Sequence, residues 1–281
     1  MTRKRHITYL ELTNGFREKG YKLQQYGAVT ERRIKYSLYK IIINPRYKKT
    51  LIITSGFHGE EANGPISLLQ IIDEIAKFAR KMRVRLIIYP CINPSAFELY
   101  KRYNGSNEMK NNYFLHYQLE DGTWVGILQP GEKFVDYIIV DSPAKEVRIL
   151  KLDILKYRVP KAILDIHQQE GNLDIGDVYA YIYRNRATYK RILKKISRIA
   201  EIAKNDEAFT FDKKGKVVVE IDNDGFIVLH DGSITDMFHR LGSKYAVTAE
   251  TDTRLSLEKV SKINYIWITE LVKLVAKMGN K

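Results

Sequence analysis

The sequence predicts an α/β protein with three layers, in which helices cover both faces of a mixed, mostly parallel and twisted central sheet. Two observations point to this class. Short apolar, β-branched runs alternate along the chain with amphipathic segments of helical period. One run, 50–55, also breaks into a glycine turn of the kind that α/β proteins carry at the carboxyl ends of their strands.

The predicted strands are short apolar runs bounded by turn residues. They are expected at 34–43, 50–55, 84–91, 162–166, 178–183, 217–221, 226–229 and 245–249. Two of these runs are joined by Asp222-Asn-Asp-Gly225, which is typical of an antiparallel hairpin. We therefore expect antiparallel pairing beside the parallel strands.

The predicted helices keep their apolar residues on one face. They are expected at 65–81, 143–157, within 184–204, and at 256–278, where Ser256 is the candidate N-cap and Gly279 follows the end. Residues 1–30 are expected to form an N-terminal extension. The 281 residues contain no linker-like or repeated stretch, which favours a single domain over 1–281.

The net charge of +14 raises the question of a nucleic-acid partner. Much of the excess lies on one face of the 184–204 helix, and that pattern is typical of a solvated surface. The face carries Lys190, Arg191, Lys194, Lys195 and Arg198. No nucleic-acid-binding motif is present, so we predict no such partner.

The sequence also bears on the compartment. No apolar run is long enough to span a membrane, and the basic N-terminus is not followed by the apolar stretch of a secretory signal. A single cysteine, Cys91, excludes an internal disulfide and agrees with a reducing compartment. We expect a cytoplasmic protein.

The glycine turn after 50–55 carries a histidine and a carboxylate, His58 and Glu61, three residues apart. Imidazole and carboxylate are two of the ligand types that a catalytic Zn²⁺ uses. The spacing alone is weak, because a second H-x-x-E occurs at His167 and Glu170.

A third ligand is available at the end of another predicted strand. His167 is preferred over His116, His230 and His239 because Asp165 points to the same face of that strand. The Asp165 carboxylate could accept the other ring N–H of His167 and so fix the ligand tautomer. The alternative is a hydrogen-bonded pair at a strand end without a metal.

Zinc hydrolysis also needs a carboxylate that is not a ligand, to take a proton and pass it to the leaving group. Glu250 directly follows the predicted strand 245–249 and would reach the same edge of the sheet. An ordinary acidic residue at a strand end would look the same in isolation.

Together these segments resemble the zinc metallocarboxypeptidases and the related succinylglutamate desuccinylase and aspartoacylase enzymes. The matching segments are Gly56 to Gly64, Asn93-Pro-Ser-Ala-Phe97 with Arg102-Tyr103 behind it, Asp165-x-His167, Gly232-Ser-Ile-Thr-Asp236, and Gly242 to Glu250. They cover roughly residues 30 to 278 in the family's order, and imply a metallocarboxypeptidase-like catalytic domain with one zinc ion at the carboxyl ends of the strands.

The resemblance also implies residue roles. His58, Glu61 and His167 would bind zinc, and Glu250 would act as general base and acid. Arg102 would polarise the scissile carbonyl and hold the oxyanion, which suits a guanidinium that stays charged.

One part of the family pattern is missing. Many members have an Asn-Arg pair in which the arginine binds the substrate's terminal carboxylate. Here the region reads Asn111-Asn112-Tyr113 with no arginine. Arg254, Arg184 or Arg186 could replace it, and His230 could donate where digestive carboxypeptidases keep a tyrosine.

Two activities therefore stay open, with a peptide or an N-acyl amino acid as substrate. The first is a carboxypeptidase, which is favoured because the residues after Glu250 are predicted to form one helix rather than a β-rich extension. The second is a deacylase of the succinylglutamate desuccinylase and aspartoacylase type. A non-catalytic basic binding module is disfavoured, since it would not need all four imidazole and carboxylate positions.

Overall fold

The computed structural model describes residues 7–106, 114–129, 131–157, 159–169, 176–212 and 215–279. The helices of these residues are α1 (Tyr9–Glu18), α2 (Asn63–Lys81), α3 (Pro94–Leu99), α4 (Lys145–Ile154), α5 (Arg186–Ile196), α6 (Ile234–Arg240) and α7 (Leu257–Lys277). The strands are β1 (Leu23–Glu31), β2 (Ile34–Ile43), β3 (Thr50–Ser55), β4 (Arg85–Tyr89), β5 (Leu115–Leu119), β6 (Trp124–Val125), β7 (Phe134–Ile139), β8 (Ala162–Gln169), β9 (Val178–Ile182), β10 (Asp206–Asp212), β11 (Gly215–Ile221), β12 (Phe226–Ile227) and β13 (Tyr245–Asp252).

Eight strands form the central sheet in the order β1-β2-β4-β3-β8-β13-β9-β12. The four strands in the middle, β4, β3, β8 and β13, run parallel to one another, and antiparallel pairs lie on both sides of them. This confirms the mixed, mostly parallel α/β sheet predicted from the sequence.

The two faces of the sheet bury different residues of the same strands, because side chains alternate along a strand. Ile53 and Leu164 pack in one core together with Leu68 of α2 and Trp267 of α7. The intervening residues pack in a second core, which contains Ile52 and Ile163 of the sheet, Val147 and Leu150 of α4, and Met237 and Phe238 of α6. Helices therefore cover both faces, and the three layers are confirmed.

The predicted hairpin around 222–225 is wrong. β11 pairs with β10, whereas β12 joins the edge of the central sheet in parallel with β9. The turn itself forms, since the Asp222 side chain accepts the backbone N–H groups of Asp224 and Phe226 at 2.8 and 3.1 Å. Phe226 is buried in the core that contains Ile53 and Leu164. This burial directs the chain to the large sheet instead of back along β11.

The N-terminal segment is part of the fold rather than an appendage. A capping box between Thr8 and Glu11 begins α1, which buries Leu12 and Phe16 in the main core. β1 then pairs with β2 along its length and forms one edge of the sheet. The expectation of an extension over 1–30 is corrected for residues 9–30, while 1–6 lie outside the described residues.

The predicted helices form, with shorter ends in two cases. The segment predicted at 143–157 is helical over α4. The basic segment 184–204 is helical over α5, which begins directly after Asn185, a residue in a left-handed conformation with φ 63°. Ser256 caps α7 by accepting the N–H of Lys259 at 3.3 Å, as predicted. Among the helices described, none has the length and apolar character needed to cross a bilayer.

Candidate active site

The glycine turn after β3 brings two polar side chains to the edge of the sheet. Gly56 has φ +70°, which favours glycine and lets the chain turn sharply after the strand. Gly59 lies so close to α3 that a Cβ there would meet the carbonyl carbon of Ala96 at 2.0 Å. The Gly59 N–H also donates to the Lys101 carbonyl at 2.9 Å, so the turn is fixed against the segment that carries Arg102.

His58, Glu61 and His167 come together at this edge and are buried. The Glu61 carboxylate lies between the two imidazoles, with Oε1 2.5 Å from His58 Nδ1 and Oε2 2.9 Å from His167 Nδ1. One nitrogen or oxygen atom from each residue lies within 4.8 Å of the others. Two imidazoles and a carboxylate at this separation suit a Zn²⁺ ion, whose N and O ligands lie about 2.0–2.2 Å from the metal.

The orientation of the His167 ring is fixed by contacts with Asp165 on its own strand and with the turn after β3. Its Nε2 lies 3.0 Å from Asp165 Oδ2, and Thr54 donates to the other Asp165 oxygen at 2.7 Å. The Phe57 ring stacks on the imidazole with a 5.9 Å centroid distance. The Nδ1 of His167 therefore points at Glu61 while its Nε2 is engaged, which is the arrangement that orients a metal-binding histidine.

Charge in the cluster is unevenly distributed. Burial lowers the pKa of His58 to about 4. Burial also acts to lower the pKa of His167, but the Asp165 and Glu61 carboxylates raise it well above its ordinary value. Burial acts to raise the pKa of Glu61, and the two histidines overcome this and hold it low. The site thus keeps the Glu61 carboxylate as an anion and the His58 imidazole unprotonated, and both can bind a cation.

Glu250 lies beside the cluster because of strand register. It is the direct partner of His167 across the parallel pair of β8 and β13, and of Tyr179 across β9. Burial raises the pKa of Glu250 to about 8; the Glu61 charge adds to this, and His167 and Arg102 oppose it. A carboxylate with a pKa near neutrality can both take and return a proton.

Arg102 reaches the same place from the segment after α3. Its Nη1 donates to Glu60 Oε1 at 3.1 Å and lies 3.7 Å from Glu61 Oε1. The structure therefore brings together the five residues that the sequence singled out around the ligand cluster: His58, Glu61, Arg102, His167 and Glu250.

The candidate substrate-binding residues that the structure describes have partners of their own, outside the ligand cluster. The ring of His230 stacks on Tyr183, its Nδ1 lies 2.8 Å from Asp236, and none of its described contacts is with the ligand cluster. Arg254 forms an ion pair with Asp252 at 2.6 Å. Asp252 lies two residues after Glu250 at the end of β13. Asn111 and Asn112 lie outside the described residues.

The other two arginines considered as carboxylate binders are engaged away from the cluster. Arg184 donates to the Ser243 carbonyl, and Arg186 pairs with Asp222 and with Asp224, the latter at 3.2 Å.

Sequence reasoning missed two tyrosines beside Glu250. Tyr179 and Tyr181 lie on the same face of β9 and are almost fully buried. Burial raises the pKa of both phenols, with the Glu250 charge next in importance. The alternation Tyr179, Tyr181, Tyr183 in the sequence was the signal that could have found this wall of the site.

Comparisons with known proteins bear on the fold and on the segment that carries His58 and Glu61. Residues 47–119, which include His58, Glu61 and Arg102, match the model of the succinylglutamate desuccinylase/aspartoacylase catalytic domain. No curated protein matches the chain in sequence.

Solved structures match over most of the chain. A candidate metallopeptidase from Shewanella denitrificans superposes with a TM-score of 0.66 at 20% identity, over 96% of this chain and 90% of that one. A metallo-carboxypeptidase from Pseudomonas aeruginosa, solved in complex with (2-guanidinoethylmercapto)succinic acid, gives 0.62 at 16% identity, over 98% and 69%. Bovine thrombin-activatable fibrinolysis inhibitor, in complex with tick carboxypeptidase inhibitor, gives 0.62 at 13% identity, over 97% and 98%.

The chain has the metallocarboxypeptidase fold. The resemblance inferred from the sequence motifs is thereby confirmed. Within the metallocarboxypeptidase fold, the His58–Glu61–His167 cluster lies at the carboxyl ends of β3 and β8, where ligands of α/β sheets bind.

Proposed function

We propose that the chain is a zinc-dependent hydrolase that cleaves an amide bond, and that it acts as a metallocarboxypeptidase on peptides. The observation that carries this proposal is the convergence of His58, Glu61 and His167 with Glu250 in register beside them. The fold shared with metallo-carboxypeptidases supports it. We further propose that residues 1–281 form one catalytic domain.

His58, Glu61 and His167 would hold the zinc ion, which supplies a Lewis acid and a water of lowered pKa. Glu250 takes the proton of the attacking water and delivers it to the leaving amine, for which its raised pKa is suited. Arg102 faces the substrate carbonyl and stabilises the negative charge that develops on its oxygen. Asp165 keeps His167 in one orientation.

A second candidate is the removal of an acyl group from an N-acyl amino acid. The match of residues 47–119 to the succinylglutamate desuccinylase/aspartoacylase model favours it. Both reactions break an amide bond and need the same groups at the reacting carbon. They differ in whether the substrate presents a peptide chain or a small acyl group.

A substrate screen tests the proposal. Zinc-loaded protein is assayed with peptides that carry free or blocked C-termini and with N-acyl amino acids. Cleavage of free-C-terminal peptides supports the carboxypeptidase, and cleavage of acyl amino acids alone supports the deacylase.

Glu250→Gln should bind zinc and lose at least about 100-fold in kcat, the lower end of a general-base contribution. Glu258→Gln, which changes an exposed carboxylate of α7, serves as the control. Hydrolysis by Glu250→Gln at the wild-type rate would remove Glu250 from the mechanism, and the absence of any zinc-dependent cleavage would overturn the proposed function.

A further inference from the structure

Glu60 is a second carboxylate beside the ligand cluster, and neither the metal nor the proton transfer requires it. It directly precedes Glu61 but points its side chain to Arg102, whose Nη1 donates to Glu60 Oε1 at 3.1 Å. Its other oxygen, Oε2, is buried and has no hydrogen-bond partner among the described residues. A buried carboxylate oxygen without a partner is costly, so the hydrogen bond to Arg102 is the contact that offsets the burial of the Glu60 side chain.

Arg102 has two carboxylates within reach, and they are not equivalent. Glu61 Oε1 is 3.7 Å from Arg102 Nη1 and also 2.5 Å from His58, so Glu61 is already shared within the cluster. Glu60 is the nearer of the two and makes the hydrogen bond. Of these two carboxylates, Glu60 is the one that makes no contact with the histidines, so it can keep its hydrogen bond to Arg102 while Glu61 serves as a ligand.

The backbone places both partners with little freedom. Gly59, next to Glu60, donates to the carbonyl of Lys101, next to Arg102, at 2.9 Å. Tyr100 ends α3 in a left-handed conformation with φ 51°, which turns the chain back toward the metal-binding turn. The Glu60–Arg102 ion pair therefore adds the last constraint to two segments that are already joined.

We propose that Glu60 is a positioning residue that fixes the guanidinium of Arg102 beside the zinc site, so that it faces the carbonyl oxygen of the substrate. This inference rests on the proposed function, in which Arg102 stabilises the developing oxyanion. A long, partly exposed arginine loses rotational freedom when one of its nitrogens is held, and preorganised donors stabilise an oxyanion best.

A double-mutant cycle tests whether Glu60 acts through Arg102. The variants are Glu60→Ala, Arg102→Ala, their combination, Glu60→Gln, and the control Glu258→Ala on α7. We expect Glu60→Ala to lower kcat by about 10- to 100-fold, with an unchanged zinc content and a KM within about threefold. Glu60→Gln should recover part of the rate, because its amide oxygen still accepts the hydrogen bond.

The decisive result of the cycle is the double variant. If Glu60 acts through Arg102, the double variant is no slower than Arg102→Ala alone. If the two losses multiply, or if Glu60→Ala keeps the wild-type rate, the inference is overturned while the proposed function stands.

A measurement without turnover tests the contact itself. In nitrogen-15 NMR spectra of the metal-free and zinc-loaded protein, a held guanidinium rotates slowly about its Nε–Cζ bond and gives separate Nη signals. The Arg102 signals are identified by their loss in Arg102→Lys. They should be separate in the wild type and in Glu258→Ala, and merge in Glu60→Ala. Separate signals in Glu60→Ala would overturn the inference, whether or not a substrate is hydrolysed.

Discussion

His167 is the residue on which the site's response to pH depends. Its Nδ1 meets Glu61 and its Nε2 meets Asp165, so an anionic carboxylate lies at each ring nitrogen. Burial opposes protonation of the ring, and the two carboxylates outweigh burial and raise its pKa well above the ordinary value. A cation that binds at Nδ1 must therefore displace a proton.

Zinc affinity should consequently rise with pH. While His167 is protonated in the metal-free protein, each zinc ion bound releases about one proton, so the association constant increases about tenfold per pH unit. The constant is measured between pH 5.5 and 7.5 by competition with a chelator of known proton affinity. His239→Ala, outside the ligand cluster, should keep this slope. An association constant that does not change over this range would contradict the protonated state of His167.

The sequence predicted some residues of the site better than others, for a physical reason. His58, Glu61, His167 and Glu250 stand at the ends of apolar runs, and parallel strands deliver their carboxyl ends to one edge. Glu60 and Tyr179 reach the site through side-chain direction and antiparallel register, which the spacing along the chain does not contain. Arg102 could be expected only from the resemblance to a family.

At the scale of elements, the turn of 56–62 depends on its contact with α3. The backbone of Gly59 touches that of Ala96 and Phe97 so closely that no side chain can enter. The contact holds His58 and Glu61 at one end and Arg102 at the other, through the hydrogen bond of Gly59 to Lys101.

Gly59→Ala should therefore damage both stability and metal binding. Its Cβ would lie 2.0 Å from the Ala96 carbonyl carbon, and relief requires a shift of backbone. We expect a loss of about 1–3 kcal/mol in the free energy of unfolding, measured with urea, and a zinc affinity at least about tenfold weaker. Gly279→Ala, where a Cβ meets nothing within 4 Å, is the matched control. Equal behaviour of the two variants would show that the contact is unimportant.

The integration of α1 into the core makes a second prediction. Leu12 is fully buried, whereas Leu10 on the same helix is 65% exposed. Leu12→Ala should lower the free energy of unfolding by about 2–5 kcal/mol, and Leu10→Ala should change it by less than about 0.5 kcal/mol. Denaturant unfolding of both variants measures the difference. Similar small effects would mean that the N-terminal segment is an extension after all.

Several of the elements that sequence reasoning missed are short or mostly exposed, although α1 and β1 have ten and nine residues. α3 has six residues, and β5, β6 and β7 form a small sheet in which no residue of β7 is buried. The long, periodic elements α2 and α7 were predicted within a few residues. The 222–225 turn was recognised, but its hairpin was not formed, because burial of Phe226 in the large sheet outweighed local pairing.

At the scale of the whole molecule, one sheet edge gathers groups from three consecutive strands of the sheet. β3 leads into the turn of His58 and Glu61, β8 brings His167 with Asp165, and β13 brings Glu250. The chain carries a net charge of +14, and on the basic helix α5 Lys190 pairs with Asp224 and Lys195 with Glu270. The chemistry thus depends on the order of strands in the fold rather than on overall charge.

The central claim is that His58, Glu61 and His167 bind one zinc ion, and zinc content tests it most directly. Protein loaded with zinc, dialysed and measured by elemental mass spectrometry should hold about one ion per chain in the wild type and in His239→Ala. His58→Ala and His167→Ala should hold almost none while staying folded by circular dichroism. Equal zinc content in all four proteins, or none in the wild type, would contradict the account.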